Sequence, residues 1–479
     1  MSKPDYITLS AEMQQSISTD QAWHYHIVPK LVDEDKFVFY ADEEKMNSSI
    51  SDELEMIFGK TIQIIPSSTE LINKTLGKYY RLTYKNKRAE TVSFDATNSE
   101  DFAYKLIAEV DYLGSSDIHI ERYEDRCRVR LRIDGKLIEK YVIPTNDYPA
   151  LVNKLKIKAN LDIAEKRLPQ DGRISFENSG NKFDIRVSLL PTLHGEKIVM
   201  RLLSKDATNI DINELGFDNK QLKDYLEGIK KPNGIILISG PTGSGKTTTL
   251  YATLKILNEE KTNLLTIEDP IEYTLEGINQ VQLKEDIGLT FASALRSFLR
   301  QDPDVIMLGE IRDGETAQMA IRAALTGHLV LSTIHTNSAW GTISRMIDMG
   351  VPSYLLANTL SLTVAQRLVR VLCPNCKEKK EFDAKLFPSS YKAPREIQYH
   401  YEPIGCEQCF YTGYKGRKAV YEVIPIDYEM AENIKNEKFN IREELKEKGI
   451  HQLMDNAFEL FEKGTTSIDE VYAMLMSNY

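Results

Sequence analysis

The sequence has no long apolar run, no basic excess and little cysteine. None of its hydrophobic stretches reaches the ~18 residues that a membrane-spanning helix requires, so any membrane role has to come through partners. The opening Met-Ser-Lys-Pro-Asp-Tyr has no secretory h-region. Sixty lysines and arginines face 71 acidic residues, a net charge of −11, and that balance gives sequence-independent nucleic-acid binding no support. Only five cysteines are present in 479 residues. Four of them fall into two C-x-x-C pairs, which in a reducing compartment points to metal before disulfide. A chain of this length should hold roughly three or four domains, each with its own core.

The clearest signal present is the stretch 234–250. Ile235 to Ile238 are apolar and read as a buried strand running into Gly240-Pro241-Thr242-Gly243-Ser244-Gly245-Lys246-Thr247, followed by Thr248. This fits the G-x-x-x-x-G-K-[ST] phosphate loop in full. Glycines let the backbone N–H groups close around phosphate oxygens in conformations that a Cβ resists. The helix that follows turns its positive end to the same anion. Lys246 is expected on the β- and γ-phosphates of ATP and Thr247 on Mg²⁺.

Two acidic strand ends follow. Leu264 to Ile267 end in Glu268-Asp269-Pro270, and in RecA-like motors the strand after the first helix is expected beside the cradle strand. Glu268 is therefore assigned to the attacking water. Asp304 to Leu308 resemble a Walker B strand, with Gly309 where the usual Asp would stand, so Glu310 is assigned to the Mg²⁺ shell. An exchanged or shared role for the two acids stays open. Thr326 to Asn337 supply a third buried strand, and His328 or His335 is either a γ-phosphate sensor or a satisfied structural residue.

The rest of the chain divides by composition. Residues 1–85 read as a small α+β domain, with Lys36–Tyr40 and Thr61–Ile65 as strands and Ser51–Phe58 as a helix. Residues 86–100 read as a polar linker. In 101–203 a second α+β domain shows apolar residues at 127, 129, 131 and 133 alternating with Arg126, Arg128, Arg130 and Arg132, one face of a strand. Asp134-Gly135 turns that strand back as a hairpin. The arginine face reads either as a solvated face with carboxylate neighbours or as one aimed at an anion of another subunit. Cys127 reads as a small core thiol. Residues 204–230 are taken as a connector, 231–372 as the motor and 416–479 as a helical end, with Ser467 and Glu470 as a capping box. Between them, in 373–415, 29 residues separate the pair Cys373 and Cys376 from the pair Cys406 and Cys409. Four thiolates suit a closed, structural Zn²⁺ site.

Taken together, these residues resemble the traffic ATPases of type II secretion and type IV pilus assembly. The resemblance rests on the cradle, on Thr266 to Glu272, on Leu299 to Asp313 and on Thr326 to Asn337. Ser116 to Glu121 and Leu168 to Arg173 are similar to that family's second domain. It implies a RecA-like P-loop motor of α/β fold, preceded by an α+β (PAS-like) domain and a recruitment domain. It further implies a homo-hexameric ring on the cytoplasmic face of the inner membrane. There Mg²⁺-dependent ATP hydrolysis would act on a membrane platform protein, and a recruiting protein would hold the N-terminal domain. The trans-acting arginines of the family fall on Arg173 and Arg186, with Arg201 next. A RecA-like nucleic-acid translocase is the alternative, disfavoured by the acidic balance and by the lack of a basic, aromatic-interleaved stretch near the cysteines. A non-hydrolysing scaffold is a third reading, disfavoured by an intact Lys246, Glu268 and Glu310.

Overall fold

The computed structural model describes residues 6–10, 13–14, 16–33, 36–46, 50–80, 90–91, 99–178, 181–203 and 211–476. Two compact units are present: residues 1–89, 372–380 and 401–415 form one, and residues 90–371, 381–400 and 416–479 the other.

In the first unit, β1 (Ile27–Val32) pairs antiparallel with β2 (Lys36–Asp42), and β2 pairs parallel with β3 (Thr61–Ser67). The β2–β3 crossover is the helix Ile50–Phe58, and a second helix, Thr69–Tyr79, follows. Phe37, Phe39, Leu54, Ile72 and Leu76 are buried together. The expected linker 86–100 lies largely outside the described residues, which there comprise β4 (Glu90–Thr91) and the start of the helix Ser99–Tyr112.

The second domain is a seven-stranded sheet in the order β4-β7-β6-β5-β10-β9-β8. Its strands are β5 (Asp117–Arg122), β6 (Cys127–Ile133), β7 (Lys136–Ile143), β8 (Gln170–Asn178), β9 (Asn181–Thr192) and β10 (Gly195–Leu203). Both central residues of the β6–β7 turn, Asp134 and Gly135, have positive φ (47° and 83°), the backbone that a two-residue hairpin of this hand needs. Cys127, Val129 and Leu131 are fully buried, and burial pushes the Cys127 thiol up to about 11. On the opposite face Arg128 and Arg130 grip Glu121 at 2.9 and 2.8 Å, Arg126 and Arg128 reach Glu139, and Arg132 reaches Asp117. Carboxylate neighbours are therefore what this face holds.

The motor sheet runs β13-β12-β14-β15-β11-β16-β19. Its strands are β11 (Gly234–Ser239), β12 (Leu264–Glu268), β13 (Asn279–Gln282), β14 (Val305–Leu308), β15 (Leu329–Ile334), β16 (Leu360–Leu372) and β19 (Tyr414–Pro425); the ribbon β17 (Glu378–Glu381) with β18 (Tyr399–Glu402) stands apart. Strand β11 lies parallel to both β15 and β16. The expectation that β12 lies beside the cradle strand is thus corrected. The chain leaves β11, passes over two strand places and fills them afterwards with β14 and then β15. Both faces of β11 and β15 are buried, which accounts for their uninterrupted apolar runs.

Three boundaries also differ from expectation. The supposed connector 204–230 contains the 11-residue helix Asn219–Ile229, which starts at an Asp218–Gln221 capping box and is anchored by Tyr225 and Ile229 in the core under β11; residues 204–210 lie outside the described ones. The C-terminal helical region begins with a strand, β19, before its four helices. The cysteine insert is divided, because Phe382, Phe387 and Tyr391 between the pairs pack on Phe458 and Phe461 of the helix Leu453–Glu462.

Candidate functional site

The cradle sits where buried β11 hands over to the helix Lys246–Leu257. Gly240, Gly243 and Gly245 all take positive φ (152°, 79° and 87°). A Cβ on Gly240 would lie 2.5 Å from the Gln366 carbonyl, and one on Gly245 would lie 2.8 Å from Gln366 Nε2, so β16 packs against the loop too closely for a side chain. Ser244 Oγ is buried in the loop and has no hydrogen-bond partner. A glycine cradle with an unsatisfied donor inside it fits a phosphate group. Pro241, Thr242 and Thr247 are exposed at its rim and Thr248 is half-buried. Lys246 Nζ donates to the Gly240 and Pro241 carbonyls at 2.7 and 3.1 Å. Burial pushes its amine down, and the charge of Glu310 pulls it back up.

Glu310 follows β14 and is the acid whose charge reaches Lys246. One of its oxygens lies 3.3 Å from His335 Nε2 and the other is held by Arg312, which also faces Asp269 at 3.6 Å. A Cβ on Gly309 would come 3.3 Å from the Ile267 carbonyl, a tight approach of β14 to β12. His335 leaves the C-terminal end of β15 toward this group. His328, at the other end of β15, binds the Ala323 carbonyl at 2.9 Å and closes a helix C-terminus, so the structural reading applies to it.

Glu268 lies on the strand beside β14, its Cα 3.4 Å from where a Cβ on Gly309 would stand, and has partners of its own. It ends β12, two strand places beyond β15, and is only 3% exposed. Thr266 Oγ1 and Gln280 Nε2 donate to one oxygen at 2.6 and 3.1 Å, and the Tyr251 hydroxyl donates to the other.

Register places the second domain's arginines in one row. Arg173 on β8 stands opposite Arg186 on β9, which stands opposite Arg201 on β10; Arg201 pairs with Asp117 on β5, and Asp117 stands opposite Arg132 on β6. Arg201 binds Asp117 at 2.9 Å. Arg186 reaches out of its sheet to the acidic box of its own chain, donating to the Ile271 carbonyl and, at 3.3 Å, to Glu272. Arg173 is exposed.

The cysteine cluster has the shape of a tetrahedral ligand set. The four sulfurs lie within 4.8 Å of one another, with 3.9 Å from Cys373 to Cys406, 3.7 Å from Cys376 to Cys409 and 3.8 Å from Cys406 to Cys409. Four sulfurs at ~2.3 Å from a central Zn²⁺ would stand ~3.8 Å apart. Burial pushes the Cys409 thiol up, but backbone N–H groups of Cys406 and Gly413 donate to its sulfur and hold it below the usual thiol value. Burial pushes the Cys376 and Cys406 thiols up.

Sequence reading missed Arg312, Tyr251 and Arg367. Arg367 donates to the Asn337 and Gln366 carbonyls, bracing the end of the His335 strand against β16. Arg312 lies within the stretch Leu299 to Asp313, and its position two residues after Glu310 was the available signal. For Tyr251 and Arg367 no short-range pattern existed.

Residues 94–473 match the family model described as Type II/IV secretion system protein. The type IV pilus assembly ATPase PilB of Myxococcus xanthus is 43% identical over 456 residues, covering 87% of this chain and 80% of that protein. The type II secretion system ATPase E of Vibrio cholerae is 46% identical over 390 residues, covering 79% and 76%. Among solved structures, the pilus retraction motor PilT with bound ADP superposes with a TM-score of 0.54 at 27% identity, covering 78% of this chain and 97% of that one. On the match of four-fifths of its length and on these identities, the chain belongs to the type II/IV secretion system protein family, with the type II secretion and type IV pilus-assembly ATPases.

Proposed function

We propose that the chain hydrolyses ATP at the cradle, as one subunit of a homo-hexamer. Its turnover drives type IV pilus assembly or type II protein secretion through an inner-membrane platform protein. The observation that carries this reading is the loop itself: three glycines in left-handed or extended-positive backbone, a buried unpaired Ser244 hydroxyl, and Lys246 within the field of Glu310. Lys246 would swing from the loop carbonyls to the β- and γ-phosphates. Thr247 and Glu310 would hold Mg²⁺, which when bound offsets charge on the phosphate oxygens. His335, 3.3 Å from Glu310, would report whether the γ-phosphate is present. Glu268 is assigned to the attacking water, oriented by its three donors. Arg173 is the row's candidate for transition-state charge supplied to a neighbouring subunit, with Arg186 as its reserve. Cys373, Cys376, Cys406 and Cys409 would bind Zn²⁺ structurally, since four thiolates leave no open position. The N-terminal domain would dock a recruiting protein, which places the enzyme in the cytoplasm, peripheral at the inner membrane.

The test is turnover by the full chain. Glu310→Gln should keep nucleotide affinity within a few-fold and lower kcat by about 10²–10³, while Lys246→Ala should weaken binding as well. Stimulation by a platform-protein fragment or anionic phospholipid supports the reading. Stimulation by single-stranded DNA alone would instead favour a translocase.

A further inference from the structure

Glu268 is a buried acid with no cationic partner among the described residues. A buried carboxylate needs compensation by a counter-charge or by hydrogen bonds. Here all of it comes from three neutral donors on three elements: Thr266 on β12 itself, Gln280 on β13 and Tyr251 on the cradle helix. Of the three, only Tyr251 belongs to the element that also carries Lys246 and Thr247. It lies four residues after Thr247, hence on the same helix face one turn along. Its ring is 2% exposed and packs edge-on against Tyr273, centroids 4.5 Å apart. Its hydroxyl does two jobs, donating to Glu268 and accepting from the backbone N–H of Glu272 at 3.3 Å. Glu272 is in turn the residue that holds Arg186.

We infer that Tyr251 is a positioning residue for the reaction: its hydroxyl orients the Glu268 carboxylate and ties the acidic box 268–272 to the helix that carries the phosphate ligands. The inference deepens the proposed function and rests on its assignment of Glu268 to the water. A hydrogen bond to the charged form of a carboxylate lowers its basicity and keeps it ionised. Burial, followed by the charge of Glu268, pushes the Tyr251 hydroxyl well above its ordinary value, so it remains a donor at any working pH. The other titratable groups facing Glu268 are Tyr273 from the following loop and Glu272 beyond it. Arg312, at the end of β14, is engaged by Glu310 and Asp269.

Tyr251→Phe removes the hydroxyl and keeps the ring against Tyr273. In steady-state hydrolysis by the full chain at saturating Mg²⁺ and ATP, kcat should fall roughly tenfold with KM within about twofold. The acid limb of the pH–kcat profile should move up by about half a unit to one unit, because a donor to the ionised carboxylate is lost. An unchanged kcat and acid limb overturn the inference. Thermal unfolding and nucleotide titration verify that the variant is folded. If it is not, 3,5-difluorotyrosine at position 251, a stronger donor of nearly the same shape, must move the acid limb down; no movement overturns the inference equally. Glu268→Gln separates the two levels. Near-normal turnover in that variant removes the water assignment together with the inference. A dead Glu268→Gln beside a wild-type Tyr251→Phe removes the inference alone.

Discussion

Arg173, Arg186 and Arg201 occupy three neighbouring strands in direct register, where strand spacing brings like charges within ~5–6 Å and they repel. Two of the three are neutralised inside the chain, Arg201 by Asp117 and Arg186 by Glu272. Arg173, at the edge of the sheet and exposed, has no ion pair among the described interactions. The row is therefore graded, with its most available charge at the rim. Arg173→Ala should leave nucleotide affinity within a few-fold and cut turnover by about 10³, the lower range for an arginine supplied to a phosphoryl transition state. Arg186→Ala should cost less turnover and more thermal stability, because it abandons Glu272. Steady-state hydrolysis beside a fluorescent-nucleotide titration decides this, and an equal loss of binding and turnover in Arg173→Ala would sink the idea. The candidate residues Arg173 and Arg186 could be picked out through resemblance. Their different engagement could not, since Arg186 and Glu272 are 86 residues apart.

Among the elements, the cradle was legible because everything it needs is contiguous: an apolar strand, glycines at fixed places, then a helix. The structure adds which glycine is indispensable. Gly240→Ala would set a Cβ 2.5 Å from the Gln366 carbonyl and 2.6 Å from Ser244 Oγ, whereas a Cβ on Gly243 meets nothing within 4 Å. Gly243→Ala then bears only the left-handed backbone cost of about 1–2 kcal/mol, and ADP affinity should drop less than tenfold. Gly240→Ala should lose more than tenfold and melt several degrees lower; titration calorimetry with ADP and a thermal melt of both variants check the order. Strand order was not legible, because the places of β14 and β15 between β11 and β12 are set by crossovers rather than by any local pattern. The helix Asn219–Ile229 was legible and was missed: Asp218 and Gln221 form its capping box, and Leu222, Tyr225, Leu226 and Ile229 repeat at helical spacing. At the last helix the opposite happened. Ser467 makes no side-chain cap bond there, and Glu470 turns away to bind Arg370 through its backbone N–H and guanidinium, a partner 100 residues distant that outcompetes the local motif.

In the whole molecule, the two C-x-x-C pairs were readable as a candidate metal site from spacing, but their surroundings were not. The segment between them turns its aromatic residues to the motor's C-terminal helix. Removing the metal should therefore act locally. A strong chelator is expected to release about one zinc per chain and to raise amide exchange in 373–380 and 401–415. Strands β11, β14 and β15 should stay protected, and exchange mass spectrometry with a zinc-release assay measures both. No helix among the described residues is long and apolar enough to cross a membrane. The seam where the cysteine module enters has one further consequence. Leu372 ends β16 and Tyr414 begins β19, adjacent strands of a single sheet, and the Cys373 N–H donates to the Gly413 carbonyl at 2.9 Å. The module's two chain ends thus lie side by side. A short turn spliced between those two residues would let such a motor shed or acquire it without rethreading a strand.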